Sequence, residues 1–303
     1  MFVFHRNKQT IKSLKTLVLS NNLHKKPLTL NNNIQIKELI SAQFLVTQSH
    51  TISSKTKQKL NAIKVAIADA TVTCMWVFIS ATFGMMTSYI TKMVDLHHLS
   101  HGGVDYPAMM VTTLVFFTFF SIFNTICNAF GGASFNPTGN ASFYAAGSGS
   151  DSLFSMALRF PAQALGAVGG AVAIMEVMPL KYRHMIGGPT LKVDSQTGAI
   201  VEGVLTFLIT FVVLVISLKG PRSSIMKTWL IAMAVVIVVH LGSVYTGPAL
   251  NPAIAFGWAY LENSHNTWEQ FYVYWIAPFI GAILASWLFR IVFPPRVVKH
   301  KKA

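Results

Sequence analysis

Charge is what this sequence has least of. Only 11% of its 303 residues are Asp, Glu, Lys or Arg, against about 25% in a soluble globular chain. That shortage argues against a soluble enzyme. The high apolar share argues against a disordered protein. Acids are scarcest, ten in all, and Glu38 is the only one before Asp69. Cysteine is nearly absent: two residues in a chain this long staple nothing, so a disulfide scaffold is excluded. No nucleophile–base–acid set, Gly-rich phosphate loop or zinc spacing occurs, so neither a metal nor a cofactor is expected. What remains is apolar. Hydrophobic residues make up 52% of the chain, and the mean hydropathy is +0.50. These values define a polytopic membrane protein.

The net charge of +14 raises nucleic-acid binding as a first thought. Position decides against it. Eleven of the 24 basic residues lie before residue 65 and five lie from Arg290 onward. Basic ends on a nearly uncharged body are the pattern of a membrane protein with cytosolic termini.

A membrane helix needs about 20 mostly apolar residues. Six stretches qualify, at about 64–90, 107–130, 152–175, 199–218, 228–246 and 268–292. Two more apolar pieces, 136–146 and 251–261, are too short to cross and each opens with Asn-Pro. Short apolar segments of that kind read as re-entrant half-helices. With the N-terminus inside, twenty Lys/Arg fall on the inner side, Arg159 among them, and four on the outer, which puts both termini in the cytosol. The chain divides into a basic leader (1–63), a channel-like body (64–293, with halves at about 64–175 and 199–292) and a Lys-rich tail (294–303). The simplest reading of the leader is a disordered basic tail in contact with lipid; a transit peptide is the rival.

The body contains an internal repeat. Phe135-Asn136-Pro137-Thr138 and Leu250-Asn251-Pro252-Ala253 stand 115 residues apart, and the same offset relates Ala162 to Ala277, Gly166 to Gly281 and Ala167 to Ala282. Asp69 and Glu202, each an acid inside a span, form a further candidate pair. Three spans per half is an odd number, so the halves have opposite topology and their half-helices enter from opposite faces.

Asn-Pro suits such a meeting point. Asn is a favoured helix N-cap, and Pro fits the first helical position, where its missing N–H is no loss. Two helix starts meeting at mid-membrane bring two positive dipole ends to one place. Each Asn amide also offers N–H donors to a passing molecule. Cations and protons meet a positive barrier there, whereas small neutral solutes do not.

At these residues the sequence resembles the aquaporin (major intrinsic protein) family. The likeness runs over about residues 64–293. It includes Asp69 where the family has Glu, Ser134-Phe-Asn-Pro-Thr138, Ala162-Gln163 with Gly166, Glu202, Tyr245-Thr-Gly-Pro-Ala-Leu-Asn-Pro-Ala253 and Tyr274-Trp275. The Asn-Pro-Thr motif, the Pro before the second motif and the Lys-rich tail are similar to the first group of plant small basic intrinsic proteins. The long leader departs from that group. The resemblance implies an all-α fold with six spans and two half-helices, and a homotetramer with one pore per subunit. It also implies passage of water or small neutral solutes and residence in the endoplasmic reticulum. Lys299, Lys301 and Lys302 resemble a dilysine-type retrieval signal, an address read by a receptor.

The family pattern also marks a constriction, and here the chain departs from it. The position of the usual Arg after the second motif is Ile254. Pro248 stands three residues before Asn251, and the fifth-span His position falls on Val239, with His240 turned about 100° away. The second-span member is expected near Phe116–Phe120. An apolar constriction dewets readily, so weaker water flux or a preference for less polar solutes is expected. Asp69 and Glu202 match the family acids that accept backbone N–H groups from the half-helix loops. Asp69 is one methylene shorter and is expected to reach its loop less directly. Thr138 stands where the family has Ala, and faces the lumen or packs behind the half-helix.

Cys74 and Cys127 read as core. His97, His98 and His101 read as a solvated loop. Gly166, Ala167, Gly170, Gly281 and Ala282 read as small residues for close helix contact. Against the passive channel stand an ion-coupled transporter, which would need acids facing the site, and a non-conducting interaction protein of the endoplasmic reticulum.

Overall fold

The computed structural model describes residues 58–95 and 105–294, together with Thr47 and Thr56. The chain divides into two units, Met1–Gln58 and Lys59–Ala303; the second carries the elements described below. The leader before residue 58, the His97–His101 cluster and the Lys299, Lys301 and Lys302 tail lie outside the described residues, apart from Thr47 and Thr56.

Among the described residues six helices are long and apolar enough to cross a membrane: Gln58–Met93, Tyr106–Ala129, Leu153–Val177, Ser195–Lys219, Ser224–Gly242 and Trp268–Val292. They match the six expected stretches, with the first, fourth and fifth starting several residues earlier than expected. Two short α-helices lie between them, Pro137–Ala145 and Pro252–Leu261, and a 3-10 helix, Leu180–Met185, joins the third span to the fourth. No strand occurs among the described residues. The first short helix falls between spans two and three, the second between spans five and six. Three spans separate them, so they enter from opposite faces.

Local chemistry sets the ends. Asp105, Ser152, Asp194, Ser223 and Thr267 each accept a backbone N–H in the first turn of a span. Such caps satisfy donors that have no partner inside the helix. Two spans depart from regular helix. In the first, Ala81–Thr82 form a turn where the Thr82 hydroxyl donates to the Ile79 carbonyl at 2.7 Å. In the sixth, Tyr272–Ile276 form a π-helical turn. Pro278 follows it; its ring has no N–H to give Tyr274 and crowds that carbonyl, which a wider turn relieves.

Small residues set the crossings. A methyl added at Gly166 would collide with the Ala70 carbonyl, and one at Gly170 with the Cys74 carbonyl, so spans one and three lie backbone to backbone. Gly281 meets the Gly203 carbonyl in the same way between spans four and six. The equivalence of Gly166 and Gly281 is therefore spatial as well as sequential. Each short helix packs mainly on a span of the opposite half: Pro137–Ala145 on the sixth span, Pro252–Leu261 on the third. Gly257 allows the second of these contacts, since a Cβ there would stand 2.7 Å from the Ala167 backbone.

Most large apolar side chains on the outer faces, such as Ile67, Leu165, Ile200 and Ile291, are exposed. That is the expected state of helices surrounded by hydrocarbon.

Gly166→Leu and Gly281→Leu should each remove most folded protein, because overpacking against backbone exceeds the usual ~1–3 kcal/mol. Gly84→Ala, where an added Cβ meets nothing within 4 Å, should leave the yield unchanged. The monodisperse fraction on size-exclusion chromatography in detergent measures both.

Candidate functional site

The starts of the two short helices meet at the centre of the bundle. Asn136 and Asn251 are extended N-cap residues (φ −140° and −149°), each followed by Pro at the first helical position. The Asn136 side-chain oxygen accepts from the Thr138 N–H and that of Asn251 from the Ala253 N–H, both at 3.0 Å. That leaves each Nδ2 facing outward from its helix. The Asn136 Nδ2 donates to the Leu250 carbonyl at 3.1 Å, and the Asn251 Nδ2 donates to the Phe135 carbonyl at 2.7 Å. The two motifs thus hold each other reciprocally. Each Nδ2 has a second hydrogen, and both Asn side chains line one cavity.

That cavity has a volume of about 800 Å³. On the second span it touches Thr112, Phe116, Phe120, Asn124 and Cys127, which recur every three or four residues and so form one helix face. The expected second-span lining is therefore a stripe. Phe116 and Phe120 belong to it, while Phe117 packs edge-on to Trp229 and Phe119 stacks on Phe83. Val239, Pro248 and Ile254 also line the cavity. His240 does not; it is exposed on the turn beside Val239. These three residues share the lining of one cavity, and all are apolar.

Aromatic packing holds one carbonyl of the reciprocal pair. Phe135 stacks on Trp76 at 4.5 Å between centroids and 19° between planes. Phe83, Phe116, Phe120 and Phe123 stand edge-on around the same indole. The other carbonyl depends on a strained residue. Leu250 has φ +50°, a left-handed conformation that costs a non-glycine residue about 1–2 kcal/mol. That turn presents the Leu250 carbonyl to Asn136 and its N–H to Glu202.

Thr138 is 2% exposed. Its hydroxyl donates to the Asn136 side-chain oxygen at 2.7 Å. Thr138 also lines the cavity, and its hydroxyl stands 3.4 Å from the Leu250 carbonyl. With the Thr138 N–H, the hydroxyl takes both acceptor sites of the Asn136 oxygen, so that amide presents only donors to the lumen. Ala253 offers nothing equivalent in the second motif.

Both acids are fully buried. Glu202 accepts from the Thr246 hydroxyl at 2.8 Å, the Ala249 N–H at 3.1 Å and the Leu250 N–H at 3.4 Å. It braces the second loop without a cationic partner, and the Tyr274 hydroxyl adds a bond to the Thr246 carbonyl at 3.3 Å. Asp69 does reach its loop, accepting from the Ser134 N–H at 2.8 Å, but that is one backbone group rather than two. The shorter side chain is supplemented by residues that sequence reasoning missed. Arg159 donates to Asp69 through Nε (2.6 Å) and Nη2 (2.9 Å), to Asp151 through Nη1 (2.8 Å) and to the Gly132 carbonyl (3.0 Å). Gln163 donates to Asp69 at 2.7 Å and to the Asn140 side chain at 3.0 Å. Asn140 donates to Asp151 at 2.9 Å.

Arg159, one of the inner-side charges in the Lys/Arg count, is 5% exposed within the third span. The signal was available: a charge inside an apolar span is a functional candidate by default, a rule applied to Asp69 and Glu202 alone. Asp151, outside the spans, is drawn towards a raised pKa by burial. Hydrogen bonds from Arg159, Asn140 and Ser155 and the Arg159 charge outweigh this and hold it below the ordinary carboxylate value.

Among the described residues no group of three or more His, Cys, Asp or Glu is placed to hold a metal. Cys127 lines the cavity and Cys74 does not; both are free thiols.

The model of the family described as "Major intrinsic protein" matches residues 56–289. Aquaporin SIP1-2 of Zea mays is 57% identical over 244 residues, covering 80% of this chain and 98% of that protein. Aquaporin SIP1-1 of Arabidopsis thaliana is 54% identical over 243 residues, with 80% and 98% covered. Among solved structures, the aquaglyceroporin from Plasmodium falciparum superposes with a TM-score of 0.55 at 17% identity, covering 78% of this chain and 98% of that one. This last likeness concerns the fold alone.

Thr138→Val keeps the branched shape and removes the hydroxyl. It should lower stability by about 0.5–1.5 kcal/mol, the contribution of one hydrogen bond, with Thr138→Ser close to the parent. Thermal unfolding in detergent reads the difference, and an unchanged midpoint in the Val variant would show that the hydroxyl holds nothing.

Proposed function

Since the chain belongs to the major intrinsic protein family, whose members are membrane channels, we propose that it is a passive channel for water and small neutral solutes. The reading places it in the endoplasmic reticulum membrane as a homotetramer with one pore per subunit and both termini in the cytosol. Lys299, Lys301 and Lys302 support the location and the Lys/Arg asymmetry supports the orientation; neither argument needs Arg159.

One observation carries the reading. Two N-cap asparagines, Asn251 buried and Asn136 half-buried, secure each other across the bundle centre, and both line a single cavity. A water arriving there accepts from the free N–H of each amide. Its own hydrogens then point away from the centre, along the pore. The two helix starts place positive dipole ends at the same level and oppose cations. No step requires a moving part or a coupled ion. Asp69 and Glu202 are both occupied as braces, which leaves an ion-coupled transporter without its acids. The residues proposed for the pore are Asn136, Pro137, Thr138, Asn251, Pro252 and Ala253. Val239, Pro248 and Ile254 form the proposed constriction.

A second reading rests on that constriction. Its three side chains offer no hydrogen bond to a solute. A solute that sheds its hydration easily is then favoured over water, hydrogen peroxide and glycerol being the simplest candidates. If the pore is too dry to conduct at all, an interaction role is what remains.

Stopped-flow light scattering on proteoliposomes tests the main reading. The parent protein should exceed empty vesicles in water permeability, with a low activation energy. Asn136→Asp and Asn251→Asp should each abolish most of the increase, because a carboxylate cannot donate to the opposite carbonyl and adds negative charge at the centre. Permeability no greater than that of empty vesicles, with folded protein present, would defeat water conduction. Ile254→Arg should lower the glycerol-to-water permeability ratio by about tenfold, equivalent to ~1.4 kcal/mol of added barrier to the larger solute. An unchanged ratio would remove Ile254 from the constriction.

A further inference from the structure

The first short helix is held by a closed ring of side chains that has no counterpart in the second half. Starting from Asp69 on the first span, the ring runs to Arg159 on the third, then to Asp151 in the loop before it. It continues to Asn140 on the short helix and to Gln163 on the third span, and closes on Asp69. Asp69 and Gln163 are completely buried, and Arg159 nearly so.

None of these five side chains lines the cavity. The ring nevertheless grips the pore element on both sides of Asn136. Before it, Asp69 holds the Ser134 N–H and Arg159 holds the Gly132 carbonyl. After it, Asn140 is tied to both Gln163 and Asp151. In the second half Glu202 is the one acid on the corresponding loop, helped by the Tyr274 hydroxyl, which donates to the Thr246 carbonyl at 3.3 Å, and no guanidinium takes part.

We propose that Arg159 is a positioning residue for the pore, joining Asp69 to Asp151 and so setting where Asn136 stands. The guanidinium is the part that cannot be exchanged. Its planar fork takes both Asp69 oxygens while another nitrogen reaches Asp151, which a lysine ammonium cannot do. Buried ion pairs contribute little net stability compared with apolar packing of the same volume. Placement is therefore the better account of this one. The consequence for flux rests on the channel reading above; the placement itself does not.

Hydrogen–deuterium exchange with mass spectrometry on the full-length protein in vesicles separates placement from general stability. It is read alongside water permeability for the parent and Arg159→Gln. Exchange of residues 131–145 should accelerate about tenfold in the variant, while that of residues 247–261 stays within about twofold, as independent local openings allow. Glu202→Gln should give the mirror image. Permeability per folded channel should fall with the first pattern. Asp69→Glu on the Arg159→Gln background should restore protection, because it gives the first loop the single long acid that the second loop has. Should Arg159→Gln fail to fold, Arg159→Lys, which keeps the charge and loses the fork, is expected to show the same selectivity at smaller amplitude. Acceleration shared equally by the two regions, or absent from both, overturns the proposal. A parent protein that passes no water would defeat the channel reading, and the exchange pattern would still decide the role of Arg159.

Discussion

Two hydrogen bonds between side-chain amides and backbone carbonyls, Asn136 to Leu250 and Asn251 to Phe135, meet a constraint that the whole molecule must satisfy. A half-helix that starts at the middle of a membrane exposes backbone groups where no bulk water can reach them, and each unmet group costs several kcal/mol. The reciprocal bonds satisfy two carbonyls and fix two amides at once. The stacking of Trp76 on Phe135, the left-handed Leu250 and the Thr138 hydroxyl all serve that arrangement. So do the close crossings at Gly166, Gly257 and Gly281, which bring the supporting spans near enough to hold it.

The halves share a plan but reach it by different chemistry. Glu202 has the length to take two backbone N–H groups and a hydroxyl directly. Asp69 is a methylene short and takes one, and the remaining support comes from a guanidinium and two side-chain amides. Each half therefore sets a buried acid as acceptor beside the loop that leads into its short helix.

Features carried by local pattern were legible in the sequence. The six spans follow from apolar run length. The two half-helices follow from their shortness and their Asn-Pro starts. The inverted arrangement follows from span parity, and the close crossings from equivalent glycines. Features that depend on which distant side chains meet were not legible. Nothing near Arg159 in sequence announces Asp69, ninety residues away. The second-span face also stayed open, because a run of four phenylalanines among apolar neighbours shows no periodic contrast. Only the structure separates Phe116 and Phe120 from Phe117 and Phe119. The π-helical turn before Pro278 was hidden for another reason: proline predicts a disturbance in a helix but not which form it takes.

Packing each short helix against a span of the opposite half has a bearing on how the chain is made. Synthesis delivers Pro137–Ala145 long before the sixth span, which is its main wall. Until Leu250 leaves the ribosome the first Asn-Pro turn lacks its carbonyl partner, and until Trp268–Val292 follows it lacks that wall. The first half cannot mature as a unit, and its re-entrant segment must wait in a provisional place beside the translocon. The final 25-residue helix therefore acts as the completion step for a site that begins 132 residues earlier in the sequence, at Asn136. A chain that stops short of it leaves the first short helix without its main wall, and quality-control machinery would meet an uncovered half-helix inside the bilayer.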